Sequence, residues 1–72
     1  MLDIERVRLK RLMLRLSQKR LGEMIGQDQA YVSRLERGQF PEISMKTLER
    51  LADALSVSMD YLAGRTDKEH AA

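Results

Sequence analysis

Cysteine is absent from this 72-residue chain, which removes disulfides, thiolate metal sites and cysteine nucleophiles together. Histidine occurs once, as His70 in a polar end segment, so a histidine metal site or a Ser-His-Asp arrangement has no parts to build from. No apolar run approaches the ~20 residues that cross a bilayer, and no signal-peptide pattern opens the sequence. Nor is there a nucleophile-base pair, a ligand cluster or a phosphate-binding loop. These absences predict a soluble, cytoplasmic protein without metal or cofactor, and not an enzyme. Proline occurs once and glycine four times, between stretches of regular apolar spacing, which favours several short helices over strands.

A chain of this size holds one domain with one modest core, burying only ~60% of the surface its unfolded form exposes. The formal net charge is +2, but the two halves differ. Residues 1–37 carry nine Lys/Arg and five Asp/Glu, whereas residues 38–72 carry four and six. From Arg6 to Arg20 there are seven basic residues and no acidic one. Such a field concentrates polyanions near one face, yet a solvated helix surface gives the same pattern, so charge alone leaves both readings open.

Apolar spacing predicts a first helix over about 2–14, with Ile4, Val7, Arg11 and Leu14 on its core face. Ser17 is placed to cap a second, about Gln18 to Ile25, with Leu21, Met24 and Ile25 inward and Gly26 ending it. Asp28 caps a third, about Gln29 to Arg37, ended by Gly38. On it Val32 and Leu35 face inward, while Gln29, Ala30, Ser33, Arg34 and Arg37 face outward. After a loop at Phe40, Pro41 and Glu42, Ser44 caps a fourth helix with Leu48, Leu51, Ala52 and Leu55 at helical spacing. Ser58 caps a short fifth, Met59 to Ala63, stopped by Gly64. Residues 65–72 read as a polar, frayed tail beyond a domain of residues 1–64. Five short helices in so small a chain imply an all-α, compact five-helix bundle. The first helix carries a second apolar stripe, Leu2, Leu9 and Met13 with Leu12 beside it. It either packs within the molecule, the expectation for a small bundle, or marks an interaction surface.

The most informative stretch runs from Leu16 to Gly38. Two helices that cross steeply over about three residues need a turn such as Gly26 permits and a small residue such as Gly22 where they approach. Leu21, Ile25, Val32 and Leu35 form the wedge that fixes the crossing angle, and the outer face of the third helix then projects as a rod that fits a major groove.

Ser17-Gln18 opening the second helix, Leu35-Glu36-Arg37-Gly38, Thr47-Leu48 with Leu51-Ala52, and Val57 through Leu62 together resemble the phage-repressor-like helix-turn-helix family, the Cro/repressor or XRE type. The resemblance covers about residues 3–64 and implies a lambda-repressor-like DNA-binding domain. It implies a structural ion pair between Arg11 and Glu36, and a Gln18 whose amide touches a phosphate while bracing the reading helix, at a helix N-terminus that favours the same anion. Base reading falls to Gln29, Ala30, Ser33 and Arg34: glutamine suits adenine, arginine guanine, and an alanine methyl the thymine methyl. Lys19, Arg37 and Lys46 are phosphate candidates. Tyr31 either meets a phosphate or covers the core edge. Dimerisation is expected near Val57, Ser58, Met59 and Tyr61.

Three positions depart from the family pattern. Arg15 stands where a glycine is common, so the first turn differs or Arg15 adds a phosphate contact. Asp28 puts an acid beside the DNA face, where it caps, repels a phosphate or accepts from a cytosine amino group. The loop around Phe40 lacks the basic residues often found there. The expected function is sequence-specific binding of double-stranded DNA by a small transcriptional regulator, as a homodimer on a palindromic operator, which represses by occlusion or activates by touching polymerase, with repression the favoured expectation. Phage-type repressor, restriction-modification controller and antitoxin are all roles of that class. The alternative is a protein-interaction module, or a toxin-neutralising antitoxin, binding its protein partner through the apolar stripe of the first helix.

Overall fold

The computed structural model describes residues 2–40 and 42–70. Five side chains start five helices by accepting a backbone N–H three residues on: Asp3, Ser17, Asp28, Ser44 and Ser58. Each satisfies an amide that a helix N-terminus leaves without an internal partner. The helices are α1 (Ile4–Met13), α2 (Gln18–Met24), α3 (Gln29–Glu36), α4 (Met45–Leu55) and α5 (Met59–Leu62). Pro41 of the predicted loop, and Ala71 and Ala72 of the predicted tail, lie outside the described residues.

All five helices also end alike, with an amide one or two positions past the cap bonding back to a carbonyl of the last turn. The bonds are Leu16 to Arg11, Gln27 to Gly22, Gln39 to Arg34, Val57 to Ala52 and Arg65 to Asp60. This closure needs a left-handed residue. Gly26 and Gly38 supply it at φ 75° and 72°, whereas Arg15 and Ser56 adopt φ 58° despite carrying side chains. The first turn therefore keeps the usual geometry with arginine in the glycine's place.

The core gathers residues from every helix: Val7, Leu21, Ile25, Val32, Leu35, Leu51, Ala52, Leu55 and Leu62, with Val57 from the last turn. Two members of the predicted core are corrected. Leu14 is 40% exposed, because α1 stops at Met13 and the chain reverses through Arg15 before Leu14 can face inward. Met24 is 39% exposed: Leu21 and Ile25, four apart, take the inward line, and Met24 falls to one side, at the surface beside Arg50, Asp53 and Ala54.

The stripe on α1 is not covered either. Leu2 packs against the core rim, but Leu9, Leu12 and Met13 are half to nearly three-quarters exposed, on the side of α1 opposite Val7 and Arg11. The tail lies on a different flank. Arg6 donates to the carbonyls of Tyr61 and Thr66 and to the Asp67 carboxylate, Lys10 pairs with Glu69 at 2.6 Å, and the Ser58 amide bonds the Glu69 carbonyl. Residues 65–70 are thus tied down by four contacts with α1 and Ser58, which corrects the frayed tail over that span. Among the described residues no helix is long and apolar enough to cross a membrane.

Candidate nucleic-acid interface

The site begins with how closely α3 can approach α2. Gly26 turns the chain, and the Gln27 amide closes on the Gly22 carbonyl at 2.7 Å. A Cβ on Gly22 would stand 2.8 Å from the Asp28 carbonyl oxygen, so only glycine lets the start of α3 lie against α2. Asp28 Oδ1 then accepts the Tyr31 amide at 2.8 Å, committing that oxygen to the cap.

Helical spacing divides α3 into two faces. Val32, Leu35 and Glu36 are buried. On the other side Gln29, Ala30, Arg34 and Arg37 are exposed and Ser33 is half-buried, and with Asp28 they border one open surface. Five residues predicted to face outward are therefore brought together on a single face. Tyr31 sits at its edge, half-buried against the core and stacked on Phe40 with ring centroids 4.9 Å apart, so its packing role is realised.

Glu36 holds α3 from beneath. Its Oε2 accepts from Arg11 Nε at 2.6 Å and its Oε1 from Arg11 Nη2 at 3.0 Å, a bidentate pair that matches the planar guanidinium. Arg11 Nη1 also donates to the Leu16 carbonyl at 2.8 Å, at the entrance to α2. Gln18 Nε2 donates to Glu36 Oε1 at 3.2 Å. One carboxylate thereby links α1, α2 and α3, and no buried side-chain polar atom among the described residues is left without a partner.

Around this face, Lys19 is exposed next to Gln18, and Arg37 is exposed with its Nε on the Ser33 carbonyl at 3.3 Å. Lys46 is exposed as the second residue of α4, on a different element from the other candidates. Arg15 is exposed on the turn that leads to Ser17 and Gln18. The sequence reading did not connect Phe40 with this surface, yet Arg34 lays its guanidinium 5.6 Å from the Phe40 ring centroid. The only early sign was an aromatic residue two positions past the glycine that ends α3, in a chain with three aromatics.

The four residues expected at a dimer interface differ in what they present. Val57 is buried within the chain, Ser58 caps α5 while its amide bonds Glu69, and Tyr61 lies under the Arg6 guanidinium at 4.4 Å. Met59 instead lines a partly enclosed apolar groove with Leu2, Ile43, Met45 and Leu48, edged by Asp60 and Arg65. Among the described residues no group of three or more His, Asp or Glu is placed to hold a metal.

Residues 7–62 match the helix-turn-helix family. The chain belongs to the phage-repressor-like helix-turn-helix family. Its fold is similar to that of the P22 c2 repressor protein solved in complex with synthetic operator 9T in the presence of Tl+. The two share 35% identity at a TM-score of 0.82, over 92% of this chain and 98% of that one. No curated protein matches the sequence. As in other members of the helix-turn-helix family, α2, the turn and α3 form the compact unit, with α1, α4 and α5 packed behind it.

Proposed function

We propose that the protein is a transcriptional regulator that binds double-stranded DNA as a homodimer, laying α3 of each subunit in the major groove of a roughly palindromic operator. The observation that carries this reading is the exposed face of Gln29, Ala30, Ser33 and Arg34 on a helix whose opposite face is locked by Val32, Leu35 and Glu36. Gln29 matches adenine N6/N7, Arg34 matches guanine O6/N7, and Ala30 the thymine methyl. Gln18 at the start of α2, with Lys19, Arg37, Lys46 and Arg15, supplies phosphate contacts that set register without reading sequence. Likeness to a repressor solved with its operator supports repression, achieved by occluding the promoter.

Two-fold pairing multiplies the few contacts one subunit offers and sets half-sites ~34 Å apart. The groove beside Met59, with Met45 65% exposed at its edge, offers apolar surface for a second copy. Val57, Ser58 and Tyr61 then contribute by shaping α5 rather than by direct burial against the partner.

The test is selection of bound sites from random duplexes, followed by titration of the winning site. A two-fold motif, a sedimentation mass of two chains per duplex and affinity falling steeply with salt are the expected results. Arg34→Ala should lose discrimination at one position per half-site by roughly 5- to 150-fold. No enriched motif, or a flat salt dependence, would sink the reading.

A second reading draws on the exposure of Leu9, Leu12 and Met13, apolar side chains of α1 that the fold leaves uncovered. It makes the chain a protein-binding module or an antitoxin. Leu9→Ala and Arg34→Ala separate the two: loss of DNA binding with Arg34→Ala alone favours the regulator.

A further inference from the structure

Phe40 reaches the reading helix because of how α3 ends. Gly38 turns the chain, its amide bonds the Leu35 carbonyl at 3.0 Å, and the Gln39 amide bonds the Arg34 carbonyl at 3.1 Å. Residue 40 is thereby folded back along the side of α3 that bears Tyr31 and Arg34, which are three apart and so share a face. The Phe40 ring meets Tyr31 in a stack inclined by 28° and meets the Arg34 guanidinium at 5.6 Å. Tyr31 and Phe40 are half-buried against the core, so the ring is a fixed platform, while Arg34 is exposed. Among the described residues no ion pair or side-chain hydrogen bond holds Arg34.

We infer that Phe40 is a positioning residue for sequence recognition, restraining the Arg34 guanidinium in the orientation it uses on a base edge. The inference rests on the DNA-binding reading above. Its chemistry is that a ring attracts the flat face of a guanidinium through its quadrupole and leaves the N–H groups at the rim free. Those rim donors are the ones that meet guanine O6 and N7. A long side chain on an exposed helix face samples many rotamers, and a contact that selects one of them lowers the cost of ordering it on binding. Phe40 therefore contributes to discrimination without touching DNA.

Because the chain has a single phenylalanine, replacing all phenylalanine by pentafluorophenylalanine alters only Phe40, keeping its apolar bulk while reversing the quadrupole. Phe40→Leu removes the ring and Phe40→Tyr retains it. Each protein is titrated with the selected operator and with one altered at the pair that depends on Arg34, and thermal melts check that it is folded. In the free protein, NMR reports ring-current shifts and Nε relaxation of Arg34. Pentafluorophenylalanine and Phe40→Leu should lower discrimination at that pair by roughly 2- to 5-fold and mobilise Arg34, with the salt slope unchanged. Phe40→Tyr should restore both, and in an Arg34→Ala background the ring changes should have no further effect on that pair. The inference is overturned if the fluorinated ring leaves Arg34 and its base discrimination unaltered. It is equally overturned if Phe40→Leu weakens all duplexes alike, with or without Arg34. If Arg34→Ala itself leaves discrimination intact, base reading by Arg34 fails first and the inference falls with it, a pattern distinct from failure of the ring contact alone.

Discussion

Gly22 is where the geometry of the interface is most exposed to a single added carbon. Its Cβ, if present, would lie 2.8 Å from the Asp28 carbonyl oxygen, 2.9 Å from the carbonyl carbon and 3.0 Å from the Gln27 carbonyl oxygen. All three are backbone atoms of the turn into α3, so no side-chain rotation relieves them and α3 has to move away from α2. Alanine favours a helix over glycine by about 1 kcal/mol, which alone would stabilise α2. Overpacking costs about 1–3 kcal/mol, and contact with fixed backbone places this case at the upper end. Gly22→Ala should therefore lose about 2 kcal/mol net, lowering the melting temperature by roughly 8–16 °C in a domain of this size. Circular-dichroism melts of Gly22→Ala beside Glu23→Ala, a change at the exposed neighbouring position, separate helix propensity from the clash. A Gly22→Ala melting temperature equal to or above that of the unmodified chain would refute the close approach of the two helices. Operator affinity should fall in the folded fraction as well, because the shift moves α3 relative to Gln18.

Four further substitutions or conditions test other parts of the molecule. Glu36→Ala leaves Arg11 charged and buried without its partner and should cost about 3–5 kcal/mol in a urea melt, most of which Arg11→Met combined with Glu36→Leu should restore. Ser56→Gly relieves a left-handed residue at φ 58° and should stabilise the chain by roughly 0.5–1 kcal/mol. Arg15→Gly should give a like gain in stability and, if Arg15 contacts phosphate, a shallower salt slope. The Glu69 carboxyl is held below its ordinary value, chiefly by the hydrogen bond from Lys10 and further by the charges of Lys10 and His70. A carboxylate with a lowered folded pKa stabilises the tail contact above its unfolded pKa, and that contribution disappears as pH falls through the folded value. Hydrogen exchange at the Ser58 amide, which bonds the Glu69 carbonyl, should accelerate relative to core amides as the solution is acidified through the carboxylate range; protection independent of pH would count against the Lys10–Glu69 tether.

Local chemistry was legible in the sequence where one residue type has one advantageous use. Ser17, Asp28, Ser44 and Ser58 read as caps because a short oxygen-bearing side chain precedes each apolar repeat, and Gly26 and Gly38 read as turns for their left-handed tolerance. Asp3 was hidden by Leu2, whose apolar side chain extended the apparent period by two residues. The two faces of α3 followed from period alone, since Val32 and Leu35 leave little choice of inward side. The α1 stripe did not, because periodicity identifies an apolar face without saying whether any element remains to cover it. The clasp of Arg6 on Asp67 and of Lys10 on Glu69 spans about sixty residues, and a chain with thirteen bases and eleven acids offers too many such pairs to choose among. Phe40 belongs to the same class: the glycine gave the turn, but not the side of α3 on which the ring would land.

The buried Arg11–Glu36 pair illustrates why stability is the wrong measure of that cluster. Removing two charges from water costs several kcal/mol per ion, so an apolar replacement of similar volume would hold α1 to α3 at least as well. Apolar contact, however, has no direction and would not fix the Gln18 amide. The carboxylate of Glu36 spends one oxygen on both Arg11 Nη2 and Gln18 Nε2, and Arg11 spends its third nitrogen on the carbonyl that precedes α2. In the proposed complex, the phosphate contact assigned to Gln18 and the base contact assigned to Arg34 would thus be set by one unit. Arg11→Met combined with Glu36→Leu should accordingly restore the melting temperature without restoring operator affinity. Recovery of both together would mean that packing alone aligns the two helices and that the polar cluster has no positional role.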